Sequence, residues 1–390
     1  MNLTIQWHKV KVATNLKPRW DALKDHTHRP MIALILIIIC YHLLSIMVIY
    51  SAFGWHHTTF IKHLVKILIS WLIFWACMKL PFEHIKPWIP SMFFGSIILL
   101  LMVYLMGHTG KGAQRWLSLG PLTGQPSELI KITLPLMLTY YLAPLPTPIN
   151  WKNLFISLLI SIVPIIFVLK QPDLGTALLS FSICAIILFI KGMPKYSLII
   201  AMVMASITLP FTWTHLHDYQ KQRILTLMHP TEDIHGKGYH IHQSKIAIGS
   251  GGLWGKQLNQ GTQSHLKFLP ENHTDFIFAH FAEEFGFVGS IAFICLACFT
   301  IIVMSQLILS TPSRWLLLFG YATLGSFTFN LFVNIGMVCG ILPVVGIPLP
   351  LVSYGGSSLL ITMMNFGLLL SLWRHVKAKQ RLRNIYAPIN

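Results

Sequence analysis

The sequence predicts an all-α, polytopic integral membrane protein with about ten transmembrane helices and one long extracytoplasmic loop. Three observations predict it. Of the 390 residues, 54% are hydrophobic and only 11% are charged, and mean hydropathy is +0.63; an average soluble domain has roughly a quarter of its residues charged. Apolar runs of the roughly 20 residues that a helix needs to cross about 30 Å of hydrocarbon recur from residue 31 to residue 373. Lys and Arg gather in both tails and in alternate loops, which is the positive-inside pattern.

Residues 1–30 form a polar, basic tail (Lys9, Lys11, Lys17, Arg19, Lys24, Arg29) with no apolar core, so no cleavable signal peptide is expected. Spans one to three are placed near 31–53, 61–80 and 88–106, with Lys79 and Lys86 between the second and third. The following outward loop holds Arg115 beside Trp116. That guanidinium either grips a phosphate bidentately or sits at headgroup level with its aromatic neighbour. Span four, near 127–143, opens in "GQPSELIKI", with Ser127 as its expected cap. Glu128 and Lys131 stand at i,i+3 on one face, close enough to pair. Spans five, six and seven follow near 153–169, 174–190 and 196–213, with Asp173 in the position of an N-cap.

The long loop, 214–275, ends in "PENHTDFIF", where Asp275 stands as a cap for span eight, near 276–305. Glu283 and Glu284 fall about 12 Å further along that helix, where two adjacent carboxylates need a polar cavity or cations. Span nine, near 314–338, leads into "NIGMVCGILPVVGIPLPLVSYGGSS", and span ten is placed near 350–373. Pro343, Pro348, Pro350 and clustered Gly and Ser break the chain there, at a depth where breaks are tolerated only against protein or a water-filled cavity. Asn334, Ser353, Tyr354 and Ser357 are accordingly candidates, with Glu283 and Glu284, for lining a cavity. The C-terminal tail, 374–390, is basic again. An even number of spans puts both termini in the cytoplasm and the long loop outside.

The net charge of +17 raises nucleic acid as a partner, but its location in tails and alternate loops argues for a membrane instead. "GSGGLWG" (249–255) fails as a dinucleotide loop because Trp254 stands where the third glycine belongs, and "GHTGKG" (107–112) fails as a P-loop at Leu105 and Gly112. The histidines form no HExxH, and the six cysteines lie in or beside apolar spans, so neither a zinc site nor a loop disulfide framework is expected.

The ordered set "GAQRWL" (112–117), "QPSELIK" (125–131), "QPDLGTA" (171–177), "YQKQRIL" (219–225), "GYHIHQSKIAIGSGG" (238–252), "GTQS" (261–264), "LPENHTDFIFA" (269–279), "AEEFGFVG" (282–289) and the 334–358 segment resembles the SEDS family of shape, elongation, division and sporulation proteins. It spans nearly the whole chain, and "GTQS" and "QSKIAIGSGG" are similar to the elongation members rather than the division members. The resemblance implies a peptidoglycan glycosyltransferase of the cytoplasmic (inner) membrane. Such an enzyme polymerises lipid II during cell-wall elongation and releases undecaprenyl pyrophosphate. Its implied partners are a class B penicillin-binding protein, which is a transpeptidase, and other proteins of the elongation complex.

By the same resemblance Asp275 is the catalytic residue, Glu128 and Lys131 are the family's paired residues, and Arg115 is its basic residue before tryptophan. Asp275 would act as general base on the acceptor hydroxyl. Arg115, with Lys131 or Lys245, would stabilise the pyrophosphate. A divalent cation could assist the leaving group, though no motif demands one. Two rivals remain on sequence physics alone. A flippase or transporter of the same lipid-linked precursor also suits many spans and broken helices, and a non-catalytic scaffold for the transpeptidase needs no catalytic aspartate.

Overall fold

A computed structural model describes residues 29–385 apart from 56, 111–112, 120–121, 216–220, 222–236 and 266–272. Residues 1–28 of the expected N-terminal tail and much of the long loop, including all of "YQKQRIL" but Lys221, therefore lie outside the described residues.

The predicted runs reappear as ten long helices. They are α1 (Arg29–Phe53), α2 (Thr58–Lys79), α4 (Ile89–Met106), α5 (Pro126–Leu142), α6 (Trp151–Lys170), α7 (Leu174–Lys191), α8 (Ser197–His215), α11 (Ile277–Leu309), α12 (Arg314–Val338) and α13 (Gly356–Ile385). One-turn α3 (Phe82–Ile85) and a 3₁₀ turn over Lys86–Trp88 lead into α4, while α9 (Lys237–Ser250) and α10 (Thr262–His265) belong to the long loop. Among the described residues eight helices are long and apolar enough to cross a membrane, α3 and α4 counting as one. The two others, α5 and α8, coincide with the fourth and seventh predicted runs: α5 has only 17 residues and carries Glu128 and Lys131, and the apolar stretch of α8 is Ser197–Thr208.

Two buried apolar clusters hold the bundle. The larger joins α1, α2, α11, α12 and α13 around Tyr41, Phe74, Phe319 and Trp373. The smaller joins α4 to α7 around Leu100, Leu138 and Ile183, with Leu318 and Ala322 of α12 linking the two. Large apolar side chains such as Leu36, Leu72, Phe94, Phe155 and Ile207 point outward, which in water would be costly and in lipid is the required boundary.

Local structure departs from expectation in four places. The loop after α4 is a small antiparallel sheet, β1 (His108–Gly110), β2 (Ala113–Leu119) and β3 (Leu122–Gly124), in the order β1-β2-β3. Gln125 rather than Ser127 occupies the N-cap position of α5, with Pro126 at its first turn and no side-chain cap. Phe276 rather than Asp275 occupies the N-cap position of α11, again without a side-chain cap. The last helix starts at Gly356, because the prolines keep 339–355 out of helix, and it runs on to Ile385 through most of the expected tail.

Helix α11 is broken at Gly286, whose φ of 65° and ψ of −162° lie outside helical values. Before the break, residues 276–284 are all buried; after it, Phe287 and Val288 are exposed and lipid-type exposure continues at Ile291 and Ile294. The 23 residues past the break suffice to span a bilayer, at about 1.5 Å per residue. Residues 277–285 are thus an internal helix leading from Asp275, and Glu283 and Glu284 sit at its end.

Candidate functional site

Asp275 lies in the turn His273–Phe276, and the chain break at 339–355 fixes that turn. Ser353 Oγ donates to Thr274 O (2.6 Å), the Tyr354 amide donates to His273 O (2.9 Å), and Asn334 Nδ2 donates to Asp275 O (2.9 Å). The same Asn334 nitrogen reaches Ile347 O at 2.7 Å, and Ser353 Oγ accepts from the Leu349 amide at 2.8 Å. Asn334 and Ser353 are buried. Their hydrogen bonds go to backbone, so these two cavity-lining candidates serve to position the turn. The Asp275 carboxylate faces Gly346, where an added Cβ would lie 3.4 Å from Oδ2; Gly346 has a φ of +76°, which favours glycine.

The Gly346 segment also ties in α7 and α5. A side chain at Gly175, in the first turn of α7, would meet Ile347 Cγ1 at 2.7 Å, so glycine lets α7 press against the segment that faces Asp275. One residue before α7, Asp173 is its N-cap as predicted, accepting from the Thr176 amide at 3.2 Å. Its other oxygen accepts from Gln125 Nε2 (3.0 Å) and Ser127 Oγ (3.3 Å), which clamps the start of α5 to the start of α7. Lys131 Nζ donates to Glu128 Oε1 at 2.6 Å with both side chains buried. Asn365 Nδ2 on α13 donates to Lys131 O at 3.3 Å. The expected pair is therefore formed and buried, and Glu128 Oε2 is left without a hydrogen-bond partner among the described residues.

Lys245 on α9 is exposed and its Cε lies against Gly340, where an added Cβ would come within 2.3 Å. Ser244 Oγ donates to Val338 O at 2.7 Å and anchors α9 there. Lys245 is thereby held near the start of the segment that faces Asp275. Arg115 lies on β2, where its Cα neighbours in the sheet are set by the Trp116–His108 and Leu117–Gly124 pairings. Tyr354 and Ser357 are partly buried.

Glu283 and Glu284 have a different place from Asp275. Glu283 Oε1 accepts from Lys256 Nζ (2.9 Å), the Gln263 amide (2.9 Å) and Thr262 Oγ1 (3.3 Å). Glu284 Oε1 accepts from Ser51 Oγ and from the Asn259 amide (3.0 Å). Both carboxylates thus hold residues 256–263 of the long loop onto the broken helix. Gly255 makes this possible: a Cβ there would come 2.0 Å from Glu284 O.

Three groups near the site escaped sequence reasoning. Lys66 sits in the middle of α2 with Nζ 4.0 Å from the centre of the Tyr354 ring, and its chain packs against Gly356. A lysine two turns inside a span is costly unless it faces a partner or water. His63 Nε2 lies 2.7 Å from Ser45 Oγ, which donates to Val352 O, so α1 and α2 also grip the break. His280, fully buried one helical turn before Glu284, places Nε2 3.7 Å from Glu284 Oε2. The spacing His280 to Glu284, i,i+4, was the available signal for that pair. Among the described residues no group of three or more His, Cys, Asp or Glu could hold a metal ion.

A family model described as "cell cycle protein", covering FtsW, RodA and SpoVE, matches residues 27–378. The chain is 42% identical over 368 residues to the peptidoglycan glycosyltransferase MrdB of Escherichia coli K12, covering 93% of this chain and 97% of that protein. It is 38% identical to MrdB of Helicobacter pylori J99 over 80% of this chain and 82% of that one. Among solved structures, a chain from work on the coordination of polymerization and crosslinking by a peptidoglycan synthase complex superposes with a TM-score of 0.78 at 28% identity, covering 88% of this chain and 97% of that chain. The rod shape determining protein RodA of Thermus thermophilus superposes with a TM-score of 0.67 at 27% identity, covering 88% and 96%.

Proposed function

Because the chain belongs to the FtsW, RodA and SpoVE family of cell cycle proteins, we propose that it is a peptidoglycan glycosyltransferase that polymerises lipid II with Asp275 as general base. One observation carries the reading. Side-chain and backbone donors from Asn334, Ser353 and Tyr354 fix the successive carbonyls of His273, Thr274 and Asp275, and Gly346 stands against the carboxylate, where an added Cβ would lie 3.4 Å from Oδ2. A carboxylate held this way can be set against a substrate hydroxyl with little reorganisation.

Asp275 takes the proton of the acceptor hydroxyl as its oxygen attacks the anomeric carbon of the donor. The bond from that carbon to the pyrophosphate breaks, and undecaprenyl pyrophosphate leaves. Cations must meet the charge that develops on the leaving group. Lys245, against Gly340, and Lys66, against Tyr354 and Gly356, stand at the two ends of the 339–355 break, and Arg115 on β2 is the third candidate, as the family resemblance implies. Lys131, also a candidate for that role, is paired with Glu128 at 2.6 Å. Lipid anchoring of both substrates adds proximity.

The chain is a multi-pass membrane protein, and its similarity to a chain of a peptidoglycan synthase complex supports a class B penicillin-binding protein as partner. Both termini are assigned to the cytoplasm and Asp275 to the outer side. The purified chain with its transpeptidase partner should form glycan polymer from lipid II in detergent, where there are no two sides to transport between. A preparation that binds lipid II and makes no polymer would favour a flippase or a scaffold.

A further inference from the structure

The end of the bundle opposite Asp275 holds a cavity of about 350 Å³, within the range of roughly 300–1,000 Å³ that accepts small ligands. It lies between the α2–α4 turn, the start of α12 and the last turns of α13. From Trp315 in its wall to Asn334 at the Asp275 turn, α12 rises roughly 30 Å.

One half of the wall is apolar, made by Phe82, Trp315, Leu372 and Val376; the other half is basic, with Lys86, His375 and Lys379. Glu83 is the one carboxylate of the lining, and His375 Nε2 meets it at 3.0 Å. Lys86 Nζ stands 5.1 Å from the Trp315 ring centre, and no ion pair among the described residues engages Lys86 or Lys379. More positive charge lies on the same turns of α13, outside the lining. Arg374 donates to Met78 O at 3.3 Å, and Lys377 lies over Trp373. Trp88 and Leu80 beside the cavity are 66% and 49% exposed, the kind of residues that settle at the membrane–water interface.

We propose that this cavity seats the phosphate-bearing headgroup of an anionic phospholipid from the adjoining leaflet. Lys86 and Lys379 take the phosphate, and the Phe82, Trp315, Leu372 and Val376 face takes the glycerol and first acyl carbons. A soluble anion would use the two lysines but leave the apolar face against water; a lipid at interface level satisfies both halves. The bound lipid would tie the α2–α4 turn to α13, remote from the polymerising site. On the cytoplasmic assignment of the termini, this is the inner leaflet.

The test is native mass spectrometry of the delipidated full-length protein with short-chain phosphatidylglycerol, phosphatidylcholine of the same chains, or glycerol phosphate. Phosphatidylglycerol should bind about tenfold tighter than phosphatidylcholine, and glycerol phosphate far more weakly. Lys86→Gln with Lys379→Gln should remove the preference, the paired Lys→Arg changes should keep it, and Lys377→Gln, outside the lining, should leave it intact. Equal binding of the two lipids, or a preference that survives the double Gln variant, overturns the site. Binding of glycerol phosphate as tight as that of phosphatidylglycerol makes it a soluble-anion site and overturns the lipid.

Discussion

Glu128 and Lys131 show how a charge is kept inside a bilayer: a 2.6 Å contact, both partners buried, at a spacing of one helical turn. Removing one partner leaves the other charge uncompensated, which typically costs about 3–5 kcal/mol. Glu128→Ala should therefore lower the melting temperature and the yield of folded protein. The double change Glu128→Leu with Lys131→Met should recover most of the loss. An unchanged melt for Glu128→Ala would mean that water reaches the pair. This pair was legible because its signal is local. Lys66 was not, since one lysine in an apolar run carries no pattern, and Tyr354, which faces it, lies near the other end of the chain.

At the scale of elements, the break in α11 decides which residues face lipid and which face the site. Gly286 holds a φ of +65°, and a Cβ there would come 2.2 Å from Gly255 N. A non-glycine residue in that region, which glycine alone adopts readily, costs about 1–3 kcal/mol before any clash. Gly286→Ala should lower thermal stability by more than that and speed amide exchange over residues 256–263, which Glu283 and Glu284 hold. Unchanged exchange would detach the break from the loop. Hydropathy finds a helix such as α11 but not its break, because the apolar run continues through Gly286 and a single glycine inside a helical pattern does not by itself mark a break. The β1–β3 sheet escaped for another reason: β1 and β3 have three residues each, and β2, AQRWLSL, does not alternate, since Gln114 and Arg115 are both polar and Trp116 and Leu117 both apolar. Asp275 was expected as a cap because it precedes an apolar run. The turn instead obeys Asn334 and Ser353, whose hydrogen bonds to it span 59 and 79 residues of sequence.

For the whole molecule, the membrane-spanning class follows from composition and the order of the helices from where the apolar runs lie, since lipid contact demands apolar faces and the bundle has few other ways to satisfy its backbone. Orientation rests on the distribution of Lys and Arg. With the exposed native cysteines Cys40, Cys295 and Cys298 replaced, an impermeant maleimide should label Trp254→Cys in intact cells and Lys379→Cys only after permeabilisation. The reverse pattern would invert the topology and move Asp275 to the wrong side.

The central claim is that this turn presents Asp275 as the base of a polymerase. The most direct test compares Asp275→Asn with the unaltered chain, each with its transpeptidase partner, for the rate of polymer formation and for binding of lipid II. Retained binding with a rate lower by about 100-fold or more is expected for loss of a general base. Polymerisation by Asp275→Asn at a near-normal rate would contradict it.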